Sequence, residues 1–264
     1  FESRNEPMGY EGAEGGNTPT QNLVDAYEMK DGTPFDWNNP THVANMYYDA
    51  SNKETRDPRL YKNVLTNGSI WQKQKVETFE GGKNKILDGS TKTGYYLRKY
   101  MNPSVSLDPD KPNKLYHHYV LFRYAEILLN YAEAMNEWKG PDATAEGCPL
   151  TARAALNQVR DCADMKHVTE NGADFTAKVR NERRIELAFE GHRFYDIRRW
   201  KIAGLDEVRN IYGVKIKKNG TSLSYEKVLL QQMHWEDKMY LFPYPQNEIY
   251  MNPDLGQNPG WSNG

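Results

Sequence analysis

The stretch from Val179 to Trp200 constrains the fold of this chain more than any other. It reads Val-Arg-Asn-Glu-Arg-Arg-Ile-Glu-Leu-Ala-Phe-Glu-Gly-His-Arg-Phe-Tyr-Asp-Ile-Arg-Arg-Trp. Wound as a helix from Phe175, it places Phe175, Val179, Glu182, Glu186 and Phe189 on one face. Two carboxylates therefore share a stripe with core-type side chains, and there they must be paired, neutralised or put to work. Arginines lie close by in sequence: Arg180, Arg183, Arg184, Arg193, Arg198 and Arg199. One reading is a partly buried Arg–Glu lattice of Glu182, Arg183, Glu186, Arg193 and Arg198 that locks two helices together. The other is a carboxylate acid/base or metal site. The lattice is favoured, because clusters of this kind are more often structural.

Around this stretch the pattern predicts a mostly α protein with long ordered loops. Residues 1–115 are rich in turn formers, among them Asp31-Gly32, Asn67-Gly68 and Gly81-Gly82, with short strands expected at 63–65, 69–71 and 94–98. A segment this irregular is functional or packed on something else. Residues 116–201 form a helical scaffold. A helix over 119–138 carries the stripe Leu121, Tyr124, Leu128, Tyr131 and Met135 and ends at Gly140-Pro141. Thr151 caps the next helix, whose buried stripe is Ala152, Ala155, Leu156, Val159 and Ala163. Asp174 caps a third helix that runs through Phe189 and breaks at Gly191. The alanine-rich pair is similar to one tetratricopeptide unit, and a lone pair cannot bury both its faces. Residues 202–264 return to loops and short extended pieces, with 254–264 as a wrapping tail plugged by Trp261.

No other constellation reaches the specificity of an active site. Glu182, Glu186 and Glu190 recur at four-residue spacing, but carboxylates on one helix do not flank a sugar as a glycosidase requires. Glu190 and His192 straddle a glycine break, which is the wrong ligand spacing for a metal. His117-His118 is expected at a solvent-facing helix entry, and the acidic turn 108–113 lacks the Gly and Glu of a calcium loop. No nucleophile elbow, P-loop or dinucleotide fingerprint is present, so neither cofactor nor metal is expected. Cys148 and Cys162 are expected to remain unpaired. The helix from Thr151 alone carries Cys162 about 16 Å away, and a disulfide needs Cα atoms within about 7 Å.

A net charge of −2 gives no reason to expect nucleic acid as a partner. No apolar run approaches the roughly 18 residues that span a bilayer. Aromatic residues, by contrast, are plentiful, with 18 Tyr and 6 Trp. In the loop-rich first third, Tyr10, Trp37, Tyr47, Tyr48 and Trp71, with Asn38 and Asn39, have the composition of a sugar-binding surface. Rings stack on the C–H faces of pyranoses and amides bind hydroxyls. The competing expectation for each ring is a place in the core.

Several of these segments together closely resemble the SusD/RagB family. They include Pro19-Thr-Gln-Asn-Leu-Val-Asp-Ala-Tyr-Glu28, Arg56-Asp-Pro-Arg-Leu60 and Thr93-Gly-Tyr-Tyr-Leu-Arg-Lys-Tyr100. Arg123-Tyr-Ala-Glu-Ile-Leu-Leu-Asn-Tyr-Ala-Glu-Ala134, the Val179–Trp200 run and Leu241-Phe-Pro-Tyr-Pro-Gln-Asn-Glu-Ile249 follow in the family's order. The resemblance implies a SusD-like fold with tetratricopeptide-like helix pairs, of which these residues are the C-terminal half. It further implies non-catalytic capture of a poly- or oligosaccharide by an outer-membrane, cell-surface lipoprotein whose lipid anchor lies outside this chain. The implied partners are a SusC-like TonB-dependent transporter and the N-terminal half of the same protein. The alternatives are a peptide-binding relative, a glycoside hydrolase using Glu182 or Glu186, and a tetratricopeptide-type interaction scaffold.

Overall fold

The computed structural model describes residues 1–10, 12–87, 90–252 and 254–262. Short elements open the chain: α1 (Glu2–Asn5), α2 (Gln21–Ala26), α3 (Pro40–Ala44) and α4 (Pro58–Asn63). Four two-residue strands follow, β1 (Val64–Leu65), β2 (Ile70–Trp71), β3 (Gln74–Lys75) and β4 (Tyr96–Leu97). The scaffold is α5 (Tyr124–Lys139), α6 (Ala152–Cys162), α7 (Gly172–Glu186) and α8 (His192–Arg199). After α9 (Asp206–Arg209) come the long strands β5 (Asn210–Asn219) and β6 (Ser222–Gln232), and then α10 (Gln246–Met251).

Two of the cores meet on α7. Its first half sends Phe175 and Val179 into an apolar cluster with Leu128, Leu129 and Met135 of α5 and Ala155, Leu156 and Val159 of α6. Its last turn sends Ile185 into a second cluster with Tyr27, Tyr47, Leu60, Tyr95, Val214 and Ile216. The loops of the first third are thus packed onto the helices rather than draped over them. A third cluster, Tyr10, Leu65, Trp71, Val76 and Tyr96, lies within the loop region. Thr151 caps α6 by accepting from Ala154 N at 3.0 Å, and Cys148 and Cys162 are free thiols.

Three local expectations are corrected. The helix expected from Tyr119 starts at Tyr124 instead, leaving Leu121, Tyr124 and Ile127 exposed. Arg123 is extended at its N-cap, where its guanidinium reaches Glu186 and Glu190. The helix expected to be capped by Asp174 starts at Gly172 behind Asn171 and ends at Glu186, before Phe189. Residues 210–232 form an antiparallel hairpin rather than short extended pieces. Val214 and Ile216 point inward while Lys215 and Lys217 point outward, and Gly220, at φ 61°, starts the two-residue turn. The tail is described only to Ser262, and the last two residues expected in it lie outside the described ones. Within it, Trp261 Nε1 donates to the carbonyls of Lys238 and Leu241.

Candidate functional site: an aromatic cradle at the end of an ion-pair network

Glu182 is buried and accepts from Arg59 Nη1 at 2.5 Å and Arg160 Nη1 at 2.8 Å. The network runs both ways from there. Arg160 reaches Glu28, which also holds Lys178. Arg59 is held by Asp57 and continues to Glu186 at 2.8 Å, and Glu186 accepts from Arg123 at 2.5 Å. Arg123 binds Glu190 at 2.8 Å, and Glu190 binds Lys99 Nζ at 2.5 Å. Burial pushes the Glu186 and Glu190 carboxyls up, but the hydrogen bonds from Arg59, Arg123 and Lys99 outweigh it and hold both below the usual carboxylate value.

The arginines of this network differ from those expected. Arg183 pairs with Asp196 instead of a glutamate of the stripe. Arg193 and Arg198 make no ion pair among the described residues. Arg198 lies 3.6 Å over the Phe194 ring, and burial lowers the Arg193 pKa. The Arg56-Asp-Pro-Arg-Leu motif supplies the missing partner, Arg59. Its other arginine, Arg56, is fully buried and held by the carbonyls of Val24, Tyr27 and Met46.

Arg59, Lys99, Arg123, Glu186 and Glu190 line a cavity of about 300 Å³ together with Tyr100. Tyr100 also lines an aromatic cavity of about 410 Å³, with Phe1, Asn17, Leu97, His117, His118, Tyr119 and Phe189. This volume is within the range of small-molecule sites. Tyr100 follows Lys99, and Phe189 lies between Ala188 and Glu190. Lys99 Nζ bonds both Glu190 Oε1 and the Ala188 carbonyl, at 2.5 and 2.8 Å, so the two ring-bearing segments are clamped together. Tyr100 and Phe189 both have φ of 66°. Bulky residues rarely adopt this left-handed conformation, and such strain concentrates at binding and switch sites. Tyr119 leaves 69% of its surface exposed, with its ring 6.3 Å from that of Tyr100. His117 Nε2 lies 2.8 Å from Glu2 Oε1, and that oxygen accepts from Asn102 N. The cradle thus combines open ring faces with an imidazole of fixed orientation.

The aromatic residues expected to bind sugar are placed elsewhere. Trp71 and Tyr47 are buried in the apolar clusters, and Tyr10 is 9% exposed with its hydroxyl on the Trp71 carbonyl. As placed, Trp71 and Tyr47 have no free face, because the loops that carry them fold onto the core, whereas Tyr10 borders a recess of its own. Tyr48 is half-buried against Tyr61. Trp37 donates to Asp25, Asn39 caps α3, and Asn38 is exposed. None of these residues lines the cradle. The residues that do line it, Tyr100, Tyr119, Phe189 and the His117-His118 pair among them, are not those expected from the sequence to bind sugar. The histidines stand in an irregular segment well before α5, not at its entry. Tyr100 and Tyr119 belong to tyrosine-rich runs that sequence alone does not separate from core runs.

The model of the SusD family matches residues 2–261. A crystal structure of a SusD-like protein from Bacteroides fragilis NCTC 9343 is similar at 33% identity with a TM-score of 0.73, covering 96% of this chain and 49% of that one. A SusD-like carbohydrate binding protein from the same organism is 29% identical with a TM-score of 0.65, covering 93% of this chain and 49% of its own. SusD-like protein P25 of Formosa agariphila is 28% identical over 180 residues, or 62% of this chain and 28% of that protein. The chain thus spans about half the length of these solved relatives. On the family match over nearly its whole length, the chain belongs to the SusD family.

Proposed function

We propose that this chain captures a glycan, without chemistry, on the cradle of Tyr100, Tyr119, Phe189 and His117. The observation that carries the reading is the pair of aromatic residues held in left-handed backbone at the lip of one open cavity. Ring faces of Tyr119 and Tyr100 suit pyranose C–H faces, and the imidazoles and the Asn17 amide suit hydroxyls. A solved relative of 29% identity is described as carbohydrate binding, which supports the same reading. Glu186 and Glu190 are each held by two cationic side chains that keep their carboxyls below the usual carboxylate value, and a glutamate kept ionised in this way cannot serve as the protonated acid of glycoside hydrolysis. Glu182 is buried between Arg59 and Arg160.

The wider setting belongs to the same proposal. The protein sits on the outer membrane as a cell-surface lipoprotein and passes its glycan to a SusC-like TonB-dependent transporter. A further half of the protein completes the binding face, and α5 with α6 acts as a tetratricopeptide-like unit. Affinity electrophoresis against a panel of soluble polysaccharides, with reducing-end analysis of the same mixtures, tests the core of the reading. Retardation without new reducing ends is expected. New reducing ends, or binding confined to peptides, would overturn it.

A further inference from the structure

A second recess lies beside the cradle. It measures about 780 Å³ and is lined by Glu6, Tyr10, Ile70, Gln72, Lys73 and Asp108, among others. Gln72 and Lys73 form the two-residue turn between β2 and β3, and both have positive φ, at 44° and 65°. A turn of this geometry normally takes Asn-Gly. Two long side chains in its place carry backbone strain. Here the strain is held in place by the core, because Gln72 Nε2 donates to Glu6 Oε1 at 2.7 Å and to the Val105 carbonyl at 3.2 Å. The result is a polar tip at the recess, with Lys73 exposed and Ile70 60% exposed beside it.

Two short stretches of chain join this recess to the cradle. Phe1 lines the cradle and Glu6 the recess, and α1 between them advances about 1.5 Å per residue. Tyr100 lines the cradle and Pro103 the recess, and three residues of chain reach at most about 11 Å. Glu2, in α1, and Glu6, the extended residue just after it, brace the two sides, Glu2 on His117 and Asn102, Glu6 on Gln72. Both recesses therefore lie within one ligand's reach if that ligand is a chain of sugars.

We propose that the Gln72–Lys73 recess is a second subsite for the same glycan chain, so that the protein selects oligosaccharides long enough to occupy both recesses. The inference rests on glycan capture at the cradle. Gln72, Lys73 and Asp108 supply donors and acceptors for sugar hydroxyls, and Ile70 supplies an apolar edge. Occupying two linked subsites raises affinity without any new kind of contact.

The test is calorimetric titration of the full chain with a size series, from disaccharide to octasaccharide, of the polysaccharide that retards it best. The comparison is with the Lys73→Gly, Ile70→Ser variant. Glycine suits positive φ and Ile70 is exposed, so this variant keeps the fold, which circular dichroism checks. In the unaltered chain, affinity is expected to rise by at least about tenfold between the shortest and longest members. The variant is expected to bind the shortest member within about twofold and to lose the gain with length. No gain with length, or a gain that the variant keeps, would overturn the second subsite and leave capture at the cradle standing. If no member of the panel binds at all, capture and the second subsite fall together.

Discussion

Arg59 Nη1 lies 2.5 Å from Glu182 Oε1, joining two residues 123 positions apart in sequence. The side chains are 9% and 1% exposed, so this ion pair is shielded from water. It joins α4, in the loop-rich first third, to α7 of the helical scaffold. Through Glu186, Arg123, Glu190 and Lys99 it is continuous with the clamp that holds Tyr100 beside Phe189. The pattern that the sequence favours as an Arg–Glu lattice is, in the structure, a chain of ion pairs whose cations come from other elements.

Removing one partner from a buried network leaves uncompensated charge, so Arg59→Ala is expected to cost about 3–5 kcal/mol of stability. Arg199→Ala removes a cation whose side chain is 42% exposed and is expected to cost about 1 kcal/mol or less. Urea denaturation of both variants measures the difference. Equal, small losses would mean that the network does not hold the two layers together.

Burial, and then the neighbouring Glu2, push the Glu6 carboxyl up to about 7. Between the ordinary carboxylate value and about 7, folded Glu6 keeps a proton that the unfolded chain has lost. Its contribution to stability is complete below that window and is lost as pH rises through about 7. Glu6→Gln keeps the acceptor for Gln72 and removes the titration. Thermal melts across this window should show a shallower decline for the variant than for the unaltered chain. Parallel curves would contradict the assignment.

Gly94, at φ 87°, has no room for a side chain, since a Cβ there would meet the Val214 carbonyl oxygen at 2.6 Å. The same place carries the bond from Val214 N to the Thr93 carbonyl, which docks the hairpin. Gly94→Ala is expected to destabilise by more than about 1 kcal/mol. Gly147→Ala, also at positive φ but with open space around it, meets only the backbone penalty and should cost less. Denaturant midpoints with unchanged slopes decide between them.

Tyr100 sets stability against binding. Glycine at this position relieves left-handed strain worth about 1–3 kcal/mol, which offsets the lost ring packing. Tyr100→Gly is therefore expected to keep its stability within about 1 kcal/mol while glycan affinity falls at least about tenfold. A well-folded variant with full affinity would remove Tyr100 from the site.

Much of the scaffold was legible in the sequence. Periodicity located the stripes of α6 and α7, and the Thr151 cap is a local signal that tertiary packing did not override. The hairpin was legible too but was missed. Val214, Lys215, Ile216 and Lys217 alternate inward and outward, and Asn219-Gly220 marks the turn. That the stripe's glutamates needed cations was clear, but which cations was not. Sequence proximity suggested Arg193 and Arg198, whereas the fold brings Arg59, Arg123 and Arg160 from other elements. The cradle was the least legible part. Composition cannot separate Tyr47, a core residue, from Tyr119, an open one, and nothing local in Lys-Tyr-Met or Ala-Phe-Glu announces a positive φ.

Tyr119 offers the most direct measurement. Its ring is largely exposed and its hydroxyl is not part of the ion-pair network, so Tyr119→Ala should leave the fold intact. Isothermal titration of the unaltered chain and of Tyr119→Ala with one retarded polysaccharide compares them in a single experiment. Capture on the cradle predicts saturable binding that the variant loses by about 1–3 kcal/mol, as for a buried aromatic anchor, with an unchanged melting temperature. Equal binding by the two proteins would contradict it and would place the glycan elsewhere on the surface.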